Sequence, residues 1–192
     1  MAVSLTKGQK LSLSKTGGGE LTRVFMGLGW DAVARGLFRK KSVDIDLDAS
    51  VLLFDASRKL VDEVWFQQLR SKDGSVTHTG DNLTGEGDGD DEVIHIDLPA
   101  VPANVASLVF TVSSFTGQNF SQVQNAVCRL VDAGQPAEVE LARYELSDAG
   151  PHTAQIMAKL TREGSGWAMT AIGAPAQGRH IRDLRDAVAA HL

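Results

Sequence analysis

VDIDLDASVLLFD, residues 43–55, changes character at its middle. Its first half alternates, placing Asp44, Asp46 and Asp48 on one face of an extended strand and Ile45, Leu47 and Ala49 on the other, because successive side chains of a strand point to opposite sides. Its second half, Val51 to Phe54, is apolar without interruption. The stretch reads as a strand that passes from a polar site into a core.

Strand-like segments recur on either side of it. DEVWFQQLRS (62–71), EVIHIDL (92–98), SLVFTVSSF (107–115), AVCRLVD (126–132), VELARYEL (139–146), AQIMAKLTRE (154–163) and GWAMTAIG (166–173) are short and bounded by turn residues. Strands at such spacing, with no regular alternation of strand and helix, predict an all-β fold, an antiparallel two-sheet β-sandwich. Few helices are expected. FSQVQNAV (120–127) is read as a brief helix between sheets, and RHIRDLRDAVAAHL (179–192) as a terminal amphipathic helix, with Ile181, Leu184, Arg185 and Val188 at helical spacing. TGGG (16–19) is read as a hairpin turn or mobile tip, and no Gly/Ser linker divides the chain, so residues 1–192 are expected to form one domain.

The composition, 43% hydrophobic and 22% charged over 192 residues, is that of a globular chain. A single Cys excludes an internal disulfide, the start AVSLTKGQKLSLS is polar, and no apolar run approaches the roughly 18 residues of a membrane span. A cytoplasmic protein without membrane insertion is expected. The net charge of −5 conceals an asymmetry: nine of the 24 acids lie in residues 44–48 and 81–92, leaving fifteen against 19 bases elsewhere.

GDNLTGEGDGDDE, residues 80–92, holds six acids and no Lys or Arg. Two carboxylates about 6 Å apart repel by roughly 3 kcal/mol at an effective dielectric near 20, so a loop tied between strands needs a compensating charge. Direct phosphate binding is not expected, because a phosphate cradle's backbone N–H groups work with a Lys, whereas Gly85, Gly87 and Gly89 here are interleaved with acids that repel a polyanion unless a metal ion bridges it. The glycines permit positive φ and turn carboxylates and carbonyls inward. Carboxylates, the Asn82 amide oxygen, the Thr84 hydroxyl and glycine carbonyls are hard oxygen donors, which favour Ca²⁺ over Zn²⁺ or Cu²⁺ and leave Mg²⁺ or Mn²⁺ open. The format is not an EF-hand: with Asp88, Asp90 and Glu92 as its first ligands, Val93 stands where the turn glycine belongs. The strand end with Asp44, Asp46 and Asp48 is expected to complete the site, and nine acids suffice for two ions.

DIDLDAS followed by SKDGSVTHTGDNLTGEGDGDDE resembles the paired signature of the TerD family, bacterial tellurite-resistance and general-stress proteins; SLTKGQKLSL and GLGWD (27–31) resemble its start. The resemblance implies a cytoplasmic β-sandwich that binds Ca²⁺, commonly two ions, with tellurite-resistance operon partners that include a TerC-type membrane protein. The residues it carries over are Asp44, Asp46 and Asp48 from the first motif and Asp81, Asn82, Gly85, Asp88, Asp90, Asp91 and Glu92 from the second. GLFRKK (36–41) departs from the pattern, and the last third of the chain carries no diagnostic motif.

A non-catalytic interaction module organised by Ca²⁺ is the expected function. The alternative is a metal-dependent hydrolase that uses the acidic loop and His78, since a His beside a metal can activate water. No Ser/His/Asp spacing or HExxH accompanies it. Cys128 is read as a buried small hydrophobe, and Trp30, Trp65 and Trp167 as packing residues. With no basic stripe, direct nucleic-acid binding is not expected.

Overall fold

A computed structural model of the chain describes residues 3–4, 8–13, 20–31, 33–34, 42–43, 46–84, 89–135, 137–145 and 150–192. In chain order its strands are β1 (Val3–Ser4), β2 (Lys10–Leu13), β3 (Arg23–Asp31), β4 (Val33–Ala34), β5 (Ser42–Val43), β6 (Leu47–Asp55), β7 (Leu60–Val64), β8 (Val76–His78), β9 (Glu92–Asp97), β10 (Val105–Ser114), β11 (Gln124–Asp132), β12 (Val139–Glu145), β13 (Ala154–Glu163) and β14 (Gly166–Ala176). A short helix, α1 (Arg185–Ala189), follows a 3₁₀ turn at Ile181–Leu184.

The first sheet runs β1-β12-β11-β3-β9-β8 and the second β2-β14-β13-β10-β6-β7; β4 and β5 form a separate ladder. Both sheets are antiparallel, as expected, except where β1 adds to β12 in parallel.

The uninterrupted apolar half of β6 has two covers. Leu47, Ala49, Val51 and Leu53 enter the core between the sheets, with Val24, Met26, Leu28 and Trp30 of β3 and Leu108, Phe110 and Val112 of β10. Leu52 and Phe54, on the opposite face, join a second cluster with Ile181, Leu184 and Val188 of the C-terminal segment. Leu52 and Leu184 are both fully buried, and each such side chain contributes about 1.5–3 kcal/mol by leaving water. Arg185 and Arg182 reinforce this cover by reaching Glu63 on β7 at 2.6 and 3.5 Å.

Several expectations shift in detail. Residues 62–71 are not one strand: β7 ends at Val64, and the chain reverses so that Trp65 bridges Gln68. In FSQVQNAV only Phe120–Gln122 is helical, as a 3₁₀ turn, and β11 starts at Gln124. The terminal helix is short, with its first turn 3₁₀. TGGG lies outside the described residues.

Candidate metal centre

The site is built where β6 runs past its neighbour. β7 pairs β6 only as far as Val51, which leaves the backbone of Ala49 open on that edge. Two side chains from the first sheet complete it. Ala49 N–H donates to Glu92 Oε2 at 2.7 Å, and His78 Nε2 lies 3.1 Å from the Ala49 carbonyl oxygen. His78 Nδ1 accepts the Gly80 N–H at 3.0 Å, so the ring proton sits on Nε2, between Ala49 O and Glu92 Oε2 at 3.3 Å. Buried backbone groups need partners, and these two side chains supply them while joining the sheets at the site.

Asp48 begins the polar face of β6. It shares a side with Ser50, Leu52 and Phe54, and its cross-strand neighbours on β10 are Ser113 for Asp48 and Thr111 for Ser50. Asp46 precedes the strand, its carbonyl accepting the Phe115 N–H at 3.1 Å. Asp81 leaves β8 and reaches the same place: one carboxylate oxygen from each of Asp46, Asp48 and Asp81 lies within 4.8 Å of the others.

Asp46 and Asp48 are 7% and 2% exposed, yet Asp46 Oδ1 and Asp48 Oδ2 have no hydrogen-bond partner; the Thr111 hydroxyl on the same face also lacks one. Asp81 is exposed. Burial, then the charges of Glu92, Asp46 and Asp81, push the Asp48 carboxyl up to about 9. Burial, then Asp81 and Glu92, raise Asp46 to about 6. Native proteins pair buried polar groups, so two orphaned carboxylate oxygens on acids that converge with a third mark a place suited to a cation. The donor set is all oxygen. Ca²⁺ takes oxygens at about 2.3–2.6 Å, so oxygens on opposite sides of one ion stand about 5 Å apart, compatible with the spacing here.

The acidic loop returns along the outside of the first sheet. Asp91 N–H donates to the Leu28 carbonyl at 2.8 Å, and Asp91 Oδ2 accepts the Trp30 N–H at 2.9 Å. Asn82 ties the outgoing limb to the returning one: its Nδ2 donates to Asp91 Oδ1 at 2.9 Å and its N–H to Glu92 Oε1 at 3.2 Å, while its Oδ1 accepts the Thr84 N–H. Asp90 points elsewhere. Arg129 on β11 grips it with Nε 2.8 Å from Oδ1 and Nη2 2.8 Å from Oδ2. The loop passes so near β3 that a Cβ on Gly27 would stand 2.1 Å from Asp90 Oδ2, and one on Gly29 2.6 Å from the Gly89 carbonyl oxygen. Gly89 itself has φ +102, the backbone state expected of the loop glycines.

Of the residues selected from sequence, Asp46, Asp48 and Asp81 converge. Asn82, Asp91 and Glu92 form the hydrogen-bonded frame beside them, and Asp90 is held by Arg129. Asp44, Gly85 and Asp88 lie outside the described residues. The sequence reading missed Arg129, Gly27 and Gly29. GLGWD was noted there only as a resemblance, although two glycines at alternate positions of one strand are a physical signal for close backbone approach.

His78, the base of the hydrolase alternative, has a fully buried side chain with both nitrogens engaged. Cys128 is buried, and desolvation, with the Asp90 charge, pushes its thiol up to about 12, which removes it as a nucleophile. Trp30, Trp65 and Trp167 are packed, at 3–5% exposure. Among the described residues no helix is long and apolar enough to cross a membrane.

The profile of the TerD domain matches residues 1–186. The chain is 48% identical over 187 residues to tellurium resistance protein TerZ of Serratia marcescens, spanning 95% of this chain and 94% of that one. It is 42% identical over 194 residues to general stress protein 16U of Bacillus subtilis (strain 168), spanning 97% of each. A crystal structure of a homologue of telluride resistance protein (TerD) from Streptomyces coelicolor A3(2) superimposes with a TM-score of 0.69 at 23% identity, over 82% of this chain and 92% of that one, a likeness of fold.

Proposed function

The chain belongs to the TerD family, and on that premise we propose that it is a cytoplasmic Ca²⁺-binding protein of a tellurium-resistance or stress-response system, a non-catalytic module whose ion-organised loop docks partner proteins. One observation carries the reading: two buried carboxylate oxygens, Asp46 Oδ1 and Asp48 Oδ2, have no partner beside Asp81. An acid buried without a partner costs several kcal/mol, and a bound cation offsets that cost.

Asp46, Asp48 and Asp81 would hold the ion, with Asp44, Gly85 and Asp88 supplying further oxygens and, for a second ion, a further site. Ca²⁺ supplies there the positive charge that the loop's own sequence omits. The chain's residues do the rest. Glu92 and His78 hold the start of β6 in place, Asn82 binds the two limbs of the loop together, and Asp91 fixes the returning limb to β3. A loop fixed in this way presents one shape to a partner, and an unfilled loop with self-repelling acids does not. Other proteins of the same operon, including a TerC-type membrane protein, are the proposed partners.

Calorimetry with Ca²⁺, paired with thermal melts in Ca²⁺ and in chelator, tests the metal reading. At a hundredfold excess over Kd the ion stabilises the fold by about 2.7 kcal/mol, or about 5–10 °C for a chain of this size. No heat of binding and an unchanged melt would sink it. A pull-down with and without chelator tests the docking role; partners that stay bound in chelator refute the ion's part in recognition.

A further inference from the structure

We infer that Arg129 is a positioning residue for the ion site, a latch that draws Asp90 out of cation binding and holds the acidic loop against β3; the inference rests on the calcium reading above. The sequence suggests Asp90 as a ligand, and its geometry assigns it another task. Both carboxylate oxygens accept from one guanidinium, Oδ1 from Nε at 2.8 Å and Oδ2 from Nε and Nη2 at 3.0 and 2.8 Å. A planar fork of this kind fixes direction as well as distance.

Arg129 is itself held from behind. Glu140 lies 3.6 Å from its Nη1, Glu140 is bound in turn by Arg143 at 2.8 and 2.9 Å, and the Phe25 ring lies 5.6 Å beneath the guanidinium. The Asp90 side chain therefore closes a row of alternating charges, Asp90, Arg129, Glu140 and Arg143, that crosses β11 and β12. Its hydrogen bonds to Asp90 hold the Arg129 guanidinium charge above its already high range.

The grip on Asp90 is transmitted to the ion site by short links. Asp91, next in the chain, bonds β3 at Leu28 and Trp30. Asp91 accepts from Asn82, whose own N–H reaches Glu92, and Asn82 follows Asp81, the exposed member of the carboxylate cluster. Gly27 and Gly29 supply the clearance, because any side chain there would occupy the place of the Asp90 carboxylate or the Gly89 carbonyl. Paired with Asp90 and Glu140, the guanidinium orders the loop.

The test uses the full chain as Arg129→Gln, Asp90→Asn and the double variant. Calcium calorimetry should show each single variant losing about tenfold in affinity and the double variant losing no more, the mark of two residues acting as one unit. In chelator, hydrogen exchange of the Trp30 and Asp91 amides should accelerate about tenfold in each variant while the β10 amides of Leu108 and Phe110 stay protected. A general loss of stability would speed all four amides, which separates it from positioning and refutes the latch. Unchanged affinity with unchanged exchange at Trp30 overturns the proposal. Tighter calcium binding by Arg129→Gln also overturns it, by making Asp90 a ligand for which Arg129 competes. A wild-type chain that takes up no Ca²⁺ overturns the calcium reading and the role of Arg129 at an ion site together, and accelerated Trp30 exchange would then leave Arg129 as a loop anchor alone.

Discussion

Asp48 is 2% exposed with an unpartnered oxygen, and its carboxyl is pushed up to about 9 where an unfolded one ionises near 3.8. The folded metal-free chain thus keeps a proton that the unfolded chain has released. A group whose folded pKa lies above its unfolded value costs the fold progressively more as pH rises between the two. The metal-free protein should therefore lose melting temperature from about pH 4 upward, through about 6 for Asp46 and about 9 for Asp48, and melts in chelator across that range check it. On the calcium reading proposed above, an ion held by Asp48 would displace its proton, so calcium affinity should rise from pH 6 to 9. Calorimetry at pH 7 in buffers of different ionisation heat should report about one proton released. Asp48→Asn keeps the shape and removes the ionisable group with its cost of protonation; it should raise the metal-free melt by about 2–4 °C per kcal/mol recovered and abolish the proposed calcium-induced shift. A variant that melts lower in chelator would contradict this account of the buried acid.

At the scale of elements, β3 decides how the acidic loop lies. Its inward residues Val24, Met26, Leu28 and Trp30 alternate as any half-buried strand would, but Gly27 and Gly29 on the other face disguise the pattern as turn. That is why β6 was legible from the alternation of its first half, and β10 and β13 as short runs bounded by turn residues, while β3 was seen only as part of a motif, and β8, at three residues, was too short to read. The carboxylates were legible as a site because unlike most charge runs they had no bases among them. Their division of labour was not, since Arg129 lies 39 residues from Asp90 and only the pairing of β11 with β3 brings them together. Gly29→Ala sets a methyl against a carbonyl oxygen of the backbone and Gly27→Ala against a carboxylate pinned by Arg129, so each should cost about 1–3 kcal/mol and weaken calcium binding. Gly29→Ala should cost the more, because a backbone yields less readily than a side chain. Denaturant melts and calorimetry of the two variants check the order.

Across the whole molecule, the candidate ion site and the C-terminal segment use different stretches of one face of β6, Asp48 the first and Leu52 with Phe54 the second. Leu184 is fully buried beneath that segment with Ile181 and Val188. Leu184→Ala should cost about 2–5 kcal/mol and lower the melts with and without Ca²⁺ alike, leaving calcium affinity unchanged; calorimetry on the variant checks that independence. The first strands carry a different consequence. β1 ends one sheet by joining β12, and β2 ends the other by joining β14. On a growing chain Val3–Ser4 therefore have no strand partner until Ala142 and Arg143 have been made, and Lys10–Leu13 none until Trp167–Thr170. Contacts so distant in sequence form slowly, and here synthesis itself sets the earliest moment at which either sheet can be finished.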